Sequence, residues 1–128
     1  KCSKNVQYFQ NLNLSIIPID RISLHSNIEM RLKNMINFGF IDEVAQLLEK
    51  YECSKMPAMS TIGYKQVKDY LYGNLSLDDM SKNILSATRQ LAKRQITWLR
   101  HLDSTTVYSY TDYDNIINRV KFFLGEKK

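Results

Sequence analysis

Lys82, Arg89, Lys93 and Arg100 follow one another at intervals of seven, four and seven residues. On a helix turning about 100° per residue, all three later cations fall within roughly 20° of Lys82. They form one stripe about 27 Å long at a 1.5 Å rise. Residues 1–80 hold nine Lys/Arg and nine Asp/Glu, and residues 102–128 hold four of each. Residues 81–101 hold five Lys/Arg and no acid, so the formal charge of +5 belongs to this segment alone. Single-sign charge gathered on one element is the footprint of a polyanion site, and phosphate contact is the chemistry it supports. Arg89 and Lys93, four apart, repel each other unless an anion lies across them. Such binding weakens steeply with salt as counterions are released. A solvated surface stripe is the plain alternative, and an anionic membrane surface is a third.

Two further residues of that helix break its pattern. Gln95 falls inside the expected apolar arc and Arg94 at its margin. Together they read either as core residues satisfied by hydrogen bonds or as the lining of a pocket where Arg forks to phosphate. Other chemistries are poorly served. Four glycines (Gly39, Gly63, Gly73, Gly125) exclude both G-x-x-x-x-G-K-[ST] and G-x-G-x-x-G within this chain. Cys2 and Cys53 form no C-x-x-C pair, and His25 and His101 have no metal-ligand spacing, so neither a zinc site nor a disulfide framework is expected. No apolar run approaches the roughly 18 residues of a membrane span, and the first ten residues are too polar for a signal peptide. A cytoplasmic location follows as an expectation.

The elements that position these residues are mostly helical. At 128 residues the chain has the length of one domain, with 44% apolar and 24% charged residues. Residues 12–19 read as a strand, because Leu12, Leu14 and Ile16 alternate with polar residues before Pro18. Residues 20–51 read as a helical pair: Asp20 caps the first, Gly39 stops it, and Phe40, Val44, Leu47, Leu48 and Tyr51 space the second. On the first helix Ile22, Ile28, Leu32, Met35 and Ile36 form the apolar stripe. Residues 52–59 connect, and residues 60–73 hold a third helix. Ser76, followed by Asp78 and Asp79, starts the basic helix over 76–102, whose Ile84, Leu91, Trp98 and Leu102 are expected to enter the core, with Leu85, Ala92, Ile96 and Leu99 widening the apolar arc. Residues 105–110 form a short strand, and 111–125 a final helix closed by Gly125. The fold class is therefore mostly α with two short strands.

The string Thr88-Arg89-Gln90-Leu91-Ala92-Lys93-Arg94-Gln95-Ile96-Thr97-Trp98-Leu99-Arg100 closely resembles the signature of bacterial tRNA dimethylallyltransferases, also called tRNA isopentenylpyrophosphate transferases. Ile62-Gly63-Tyr64-Lys65-Gln66, then Tyr70-Leu71-Tyr72-Gly73 and Ser76, is similar to a second family segment. Ile28-Glu29-Met30-Arg31, Met35, Gly39-Phe40 and Glu43-Val44 is similar to a third. All three stand in the family's order, and the resemblance covers nearly the whole chain.

The resemblance implies an enzyme that moves a dimethylallyl group from its diphosphate to N6 of the adenosine beside the anticodon. It implies a magnesium requirement and a P-loop-kinase-like α/β fold of which this chain is the C-terminal portion. The family's glycine-rich loop and its Asp base lie in an N-terminal P-loop part with no counterpart here, so no catalytic residue and no metal ligand is expected in this chain. Arg31 matches a family Arg that grips the allylic diphosphate. Gly63, Tyr64 and Lys65, with Ser60, Thr61 and Ile62 before them, match a segment that meets tRNA. Lys93, Arg94, Gln95, Ile96, Thr97, Trp98, Leu99 and Arg100 match a second such segment, and Lys82 and Arg89 extend it. Asn27 and Ser60 stand where family members often carry Arg.

The implied partners are the tRNA anticodon stem-loop, dimethylallyl diphosphate and the N-terminal P-loop part. The whole enzyme is expected to be a monomer, and this portion alone to be inactive and prone to self-association through uncovered apolar surface. Two other readings stay open. One is a free-standing basic RNA-binding module without catalysis. The other is the related adenylate isopentenyltransferases, against which the long cationic stripe argues.

Overall fold

Leu14 and Ile16 sit two apart in a β-rich stretch, and strand β1 forms over Asn13–Ile17, ending before Pro18. The structure, a computed structural model, describes residues 10–51, 57–102 and 105–125. Cys2, Cys53 and most of the expected connection at 52–59 lie outside the described residues. After β1 come helices α1 (Arg21–Asn37), α2 (Phe40–Lys50), α3 (Tyr64–Leu71) and α4 (Leu77–Arg100), then strand β2 (Thr105–Ser109) and helix α5 (Tyr113–Phe123). A 3₁₀ turn at Pro57–Ser60 precedes α3. This is a mostly helical fold with one small sheet, and its elements lie within a few residues of those expected.

The ends of the helices have local causes. The Asp20 carboxylate accepts the Ser23 N–H at 2.7 Å and caps α1. That bond, with one from the Ser23 hydroxyl, holds the Asp20 carboxyl below its ordinary range. Gly39 has φ 90°, a conformation that glycine adopts at no steric cost, and there the chain turns from α1 into α2. At the start of α4, Ser76 Oγ accepts the Asp79 N–H at 3.1 Å and donates to the Asp79 carboxylate at 2.7 Å.

The chain divides into two units. Asp20–Gln95 forms one, and the residues up to Ile19 with those from Ile96 onward form the other. The first has a core. Leu32, Phe40, Val44, Val67, Met80 and Ile84 are buried together, with Met35, Ile36, Leu48, Tyr70 and Leu85 packed against them. Burying each such side chain contributes about 1.5–3 kcal/mol. Ile22, expected in the α1 stripe, is instead 83% exposed. It lies in the first turn, before the helix meets any neighbour. Tyr51 is also exposed, because α2 ends at Lys50 and the backbone extends there.

The second unit contains the sheet. β1 and β2 pair in parallel, with Asn13 opposite Thr105 and Ile17 opposite Ser109. A parallel pair needs a long crossover, and here the whole helical stretch provides it. The alternation of β1 does not report which side is inward. Ser15 is buried at 3% exposure, whereas Ile16 is 54% exposed.

Candidate functional site

Helix α4 carries the cationic stripe, and its inward face is one flank of the expected apolar arc rather than the centre. Met80 and Ile84 are buried, but beyond them the covered line runs through Leu85, Thr88, Ala92, Ile96 and Leu99. Leu91, Trp98 and Leu102 lie about 100° away around the helix and are exposed, as is Gln95. The apolar arc is thus rotated towards the stripe.

That rotation changes the electrostatics. Arg89 now borders the covered seam, and its guanidinium donates to the Glu29 carboxylate of α1, with one-third of the side chain exposed. Lys82 Nζ lies 2.6 Å from Asp78 Oδ2 one turn earlier on α4. This partner raises the ammonium's pKa. The expectation of a stripe free of carboxylates is therefore corrected at two of its four positions. The spacing of Asp78 and Lys82, four apart, was a readable signal. The Glu29–Arg89 pair, 60 residues apart, gave none. Among the described residues no carboxylate pairs with Arg94 or Arg100, and Lys93, Arg94 and Arg100 are exposed. The exposed cations of α4 thus lie in its C-terminal half.

The turn before α3 is built on a glycine. Gly63 has φ 98°, and a Cβ there would lie 3.2 Å from Phe40 Cζ, so a side chain meets both strain and the core. Gln66 Oε1 accepts the Gly63 N–H at 2.8 Å, one half of a capping box. Ser60 and Thr61 donate their hydroxyls to the Pro57 and Ala58 carbonyls. Tyr64 stands edge-on to Phe40, with centroids 5.4 Å apart and planes at 87°. Its hydroxyl donates to Glu43, which raises the phenol's pKa and keeps it a donor. Tyr64 therefore braces α2 and α3, and Lys65 and the half-exposed Ile62 are what this turn shows outward.

Arg31 lies on α1 in an open cavity of about 510 Å³ with Asn27, Met30, Asn34, Met35, Phe38, Phe40 and Glu43. Glu29, which meets α4, sits about 160° around the helix from Arg31. The structure thus joins Arg31, Glu43 and Tyr64 in one neighbourhood and turns Arg31 away from Arg89. The His101 Nδ1–H donates to the Thr97 carbonyl, 2.7 Å away, and closes α4, a structural role. Among the described residues no three His, Cys, Asp or Glu side chains gather as a metal cage. None of the described helices is long and apolar enough to cross a membrane.

Residues 2–102 match the family model for IPP transferase. A tRNA dimethylallyltransferase of Legionella pneumophila (strain Corby) is 43% identical over 98 residues, which is 76% of this chain and 31% of that protein. One of Coxiella burnetii (strain CbuG_Q212) is 39% identical over 118 residues, 91% of this chain and 39% of that protein. The crystal structure of the full-length tRNA isopentenylpyrophosphate transferase from Bacillus halodurans superposes with TM-score 0.77 at 28% identity, over 89% of this chain and 38% of the other. A tRNA delta(2)-isopentenylpyrophosphate transferase from Staphylococcus epidermidis shares the fold, with TM-score 0.73 at 23% identity. The chain spans well under half the length of each.

Proposed function

The chain belongs to the IPP transferase family, and on that premise we propose that it supplies the tRNA-gripping and diphosphate-contacting portion of a tRNA dimethylallyltransferase. The whole reaction needs more than this stretch, which spans 31–39% of the relatives. A glycine-rich phosphate loop, the base that takes the N6 proton, and the rest of a P-loop-kinase-like α/β fold belong to the remainder. The carrying observation is the exposed basic C-terminal half of α4. Lys93, Arg94 and Arg100 meet the sugar–phosphate chain of the anticodon stem-loop, with Gln95, Ile96, Thr97, Trp98 and Leu99 completing that surface. Ser60, Thr61, Ile62, Gly63, Tyr64 and Lys65 form the second contact. Lys65 provides its charge, and Gly63 and Tyr64 hold the turn in place.

Lys82 and Arg89 contribute differently. Each already faces a carboxylate, so each engages RNA only by leaving that partner. Their share of affinity is correspondingly smaller.

In the reaction, the allylic C–O bond breaks as the adenine N6–C bond forms, and diphosphate leaves. Positive charge develops on the allyl carbon while negative charge concentrates on the departing phosphates. Arg31 grips those oxygens through its planar fork, an electrostatic contribution that grows towards the transition state. Magnesium, when bound, neutralises the leaving diphosphate. Its ligands in this reading are the diphosphate and residues outside this stretch. Such an enzyme works in the cytoplasm, where its tRNA is.

Titrating labelled anticodon stem-loop into the 128-residue chain at several salt concentrations tests this reading. Replacing Lys93 and Arg100 together with Glu is expected to lower the slope of log affinity against log salt by about 2, one for each lost phosphate contact. The same chain mixed with tRNA and dimethylallyl diphosphate is expected to form no prenylated adenosine. Unchanged RNA affinity in the double variant would falsify the proposal. A free-standing RNA-binding module is the second reading, favoured by the self-contained core of Asp20–Gln95. Restoring prenylation by adding the P-loop part separates the two.

A further inference from the structure

The Glu29–Arg89 pair joins α1 to α4 at the surface, with the Glu29 side chain 55% and the Arg89 side chain 33% exposed. Its geometry is incomplete. One guanidinium nitrogen, Nη2, donates to one Glu29 oxygen, while Arg89 Nε is buried and meets no acceptor among the described residues. A carboxylate that clamps an arginine firmly takes two parallel N–H bonds in a fork. Leaving a buried N–H unmade costs free energy that an incoming oxygen recovers. A partly exposed ion pair of this kind also adds little to stability.

The surroundings favour an anion other than Glu29. Beside the pair, between α1 and α4, runs a groove of about 250 Å³ floored by Leu32, Ile36 and Leu85. Lys33 and Asn37, four and eight residues after Glu29, also line it, and Glu29 is the one carboxylate in that lining. Lys93 stands one turn beyond Arg89 on the stripe, about 6 Å along the axis. A phosphate group that replaced the Glu29 carboxylate would bring the oxygens to take both Nε and Nη2. It would have Lys33 and Lys93 within a turn of the pair, one on each helix.

We infer that Glu29 is a built-in competitor for RNA phosphate at Arg89. It occupies the guanidinium in the free chain and yields it as the RNA backbone settles on α4. The inference deepens the RNA-binding reading above and rests on it. The consequence is a threshold. A polyanion must gain more from Arg89 than Glu29 already gives, so loosely fitting polyanions are held less tightly than the charge of α4 alone would allow. A purely structural brace between the helices predicts the opposite, a loss of stability on removing Glu29 with no gain in affinity.

The test is a salt titration by fluorescence anisotropy, using a labelled anticodon stem-loop and the 128-residue chain. Glu29→Gln keeps the size of the side chain and removes its charge. It is expected to tighten binding roughly 3- to 10-fold, between the effect of an exposed ion pair and that of a hydrogen bond to a charged group. Arg89→Gln is expected to lower the slope of log affinity against log salt by about 1, for one phosphate contact. In the double variant the gain from Glu29→Gln is expected to vanish. Glu29→Asp keeps the net charge and shortens the reach by one methylene, so part of the gain is expected there too. It carries the test if circular dichroism shows the Gln variant unfolded. Affinity within about twofold of the parent in both Glu29 variants overturns the inference. An equal gain with Arg89 present or replaced also overturns it, because that is the long-range effect of one charge fewer. So does an Arg89→Gln slope equal to the parent's. If Lys93→Glu with Arg100→Glu still weakens binding in any of these cases, the RNA-binding reading stands without the competitor. If those two changes leave the RNA unaffected, the RNA-binding reading itself fails.

Discussion

The two units of this chain are built from similar residues and end in opposite conditions. Between Asp20 and Gln95, Leu32, Phe40, Val44, Met59, Val67, Met80 and Ile84 are all buried. In the other unit, Ser15 is the one buried residue among those described, and Trp98, Tyr113, Ile117, Phe122 and Leu124 stand half or more exposed. Helices can close a core with three or four neighbours, because each presents an apolar stripe and satisfies its own backbone. A parallel strand pair cannot. Its edges carry open N–H and C=O groups, and parallel sheets occur with both faces covered. The contrast separates a unit with a buried core from one whose described apolar side chains are mostly exposed. Relatives of which this chain spans under two-fifths are consistent with that lesson.

The largest expected effect breaks the comparison if it fails. Phe40→Ala removes a 6% exposed ring that touches both α3 and the core, and a loss of about 3–5 kcal/mol is expected in urea unfolding. Phe122→Ala, at 75% exposure, is expected to change stability by no more than about 0.5 kcal/mol. Equal costs would mean that the second unit has a core of its own.

A smaller effect sharpens the boundary of the core. Gly63→Ala places a methyl group 3.2 Å from Phe40 Cζ at φ 98°, with an expected cost of about 1–3 kcal/mol read as a lower Tm. Gly73→Ala also imposes a positive φ, but nothing lies within 4 Å of its Cβ. The difference between the two variants isolates the contact with Phe40. If they cost the same, backbone strain is the whole effect.

The smallest effect is a titration. Asp20 is held below its ordinary range, first by the Ser23 N–H, so its cap is fully formed above about pH 4, the ordinary Asp value. The contribution fades as pH falls through the lower folded value. Asp20→Asn keeps an acceptor and is expected to flatten stability in that acid window, measured by Tm from pH 5 to 2. The Asp112 side chain, before α5, makes no cap bond to its own helix and instead accepts the Ser109 N–H at 2.9 Å.

Several parts of this fold were legible before any coordinates. The caps at Asp20 and Ser76 and the turn at Gly39 were readable because each depends on residues within one helical turn. Both strands were readable from composition, and their parallel pairing was not, since nothing local selects a partner 92 residues away. The inward face of α4 was read in part, with its centre misplaced. Its bulkiest apolar residues, Leu91 and Trp98, suggested one side, and the structure covers the side of Leu85, Ala92 and Leu99. Tyr64 was legible only as part of a family segment that meets tRNA, and its bond to Glu43, 21 residues earlier, makes it a brace.

Sequence by itself determined the order and type of the elements, the location of the charge and the family's three motif strings. These follow from short-range periodicity, capping and composition. Tertiary structure alone decided which cations remain available. Glu29 reaches Arg89 because α1 packs along α4, and a through-space neutralisation of this kind has no periodicity to read. It also decided that Phe38, Arg31 and Glu43 share a cavity. Their meeting depends on the turn at Gly39 and on packing between helices, which place side chains by shape rather than by distance along the chain.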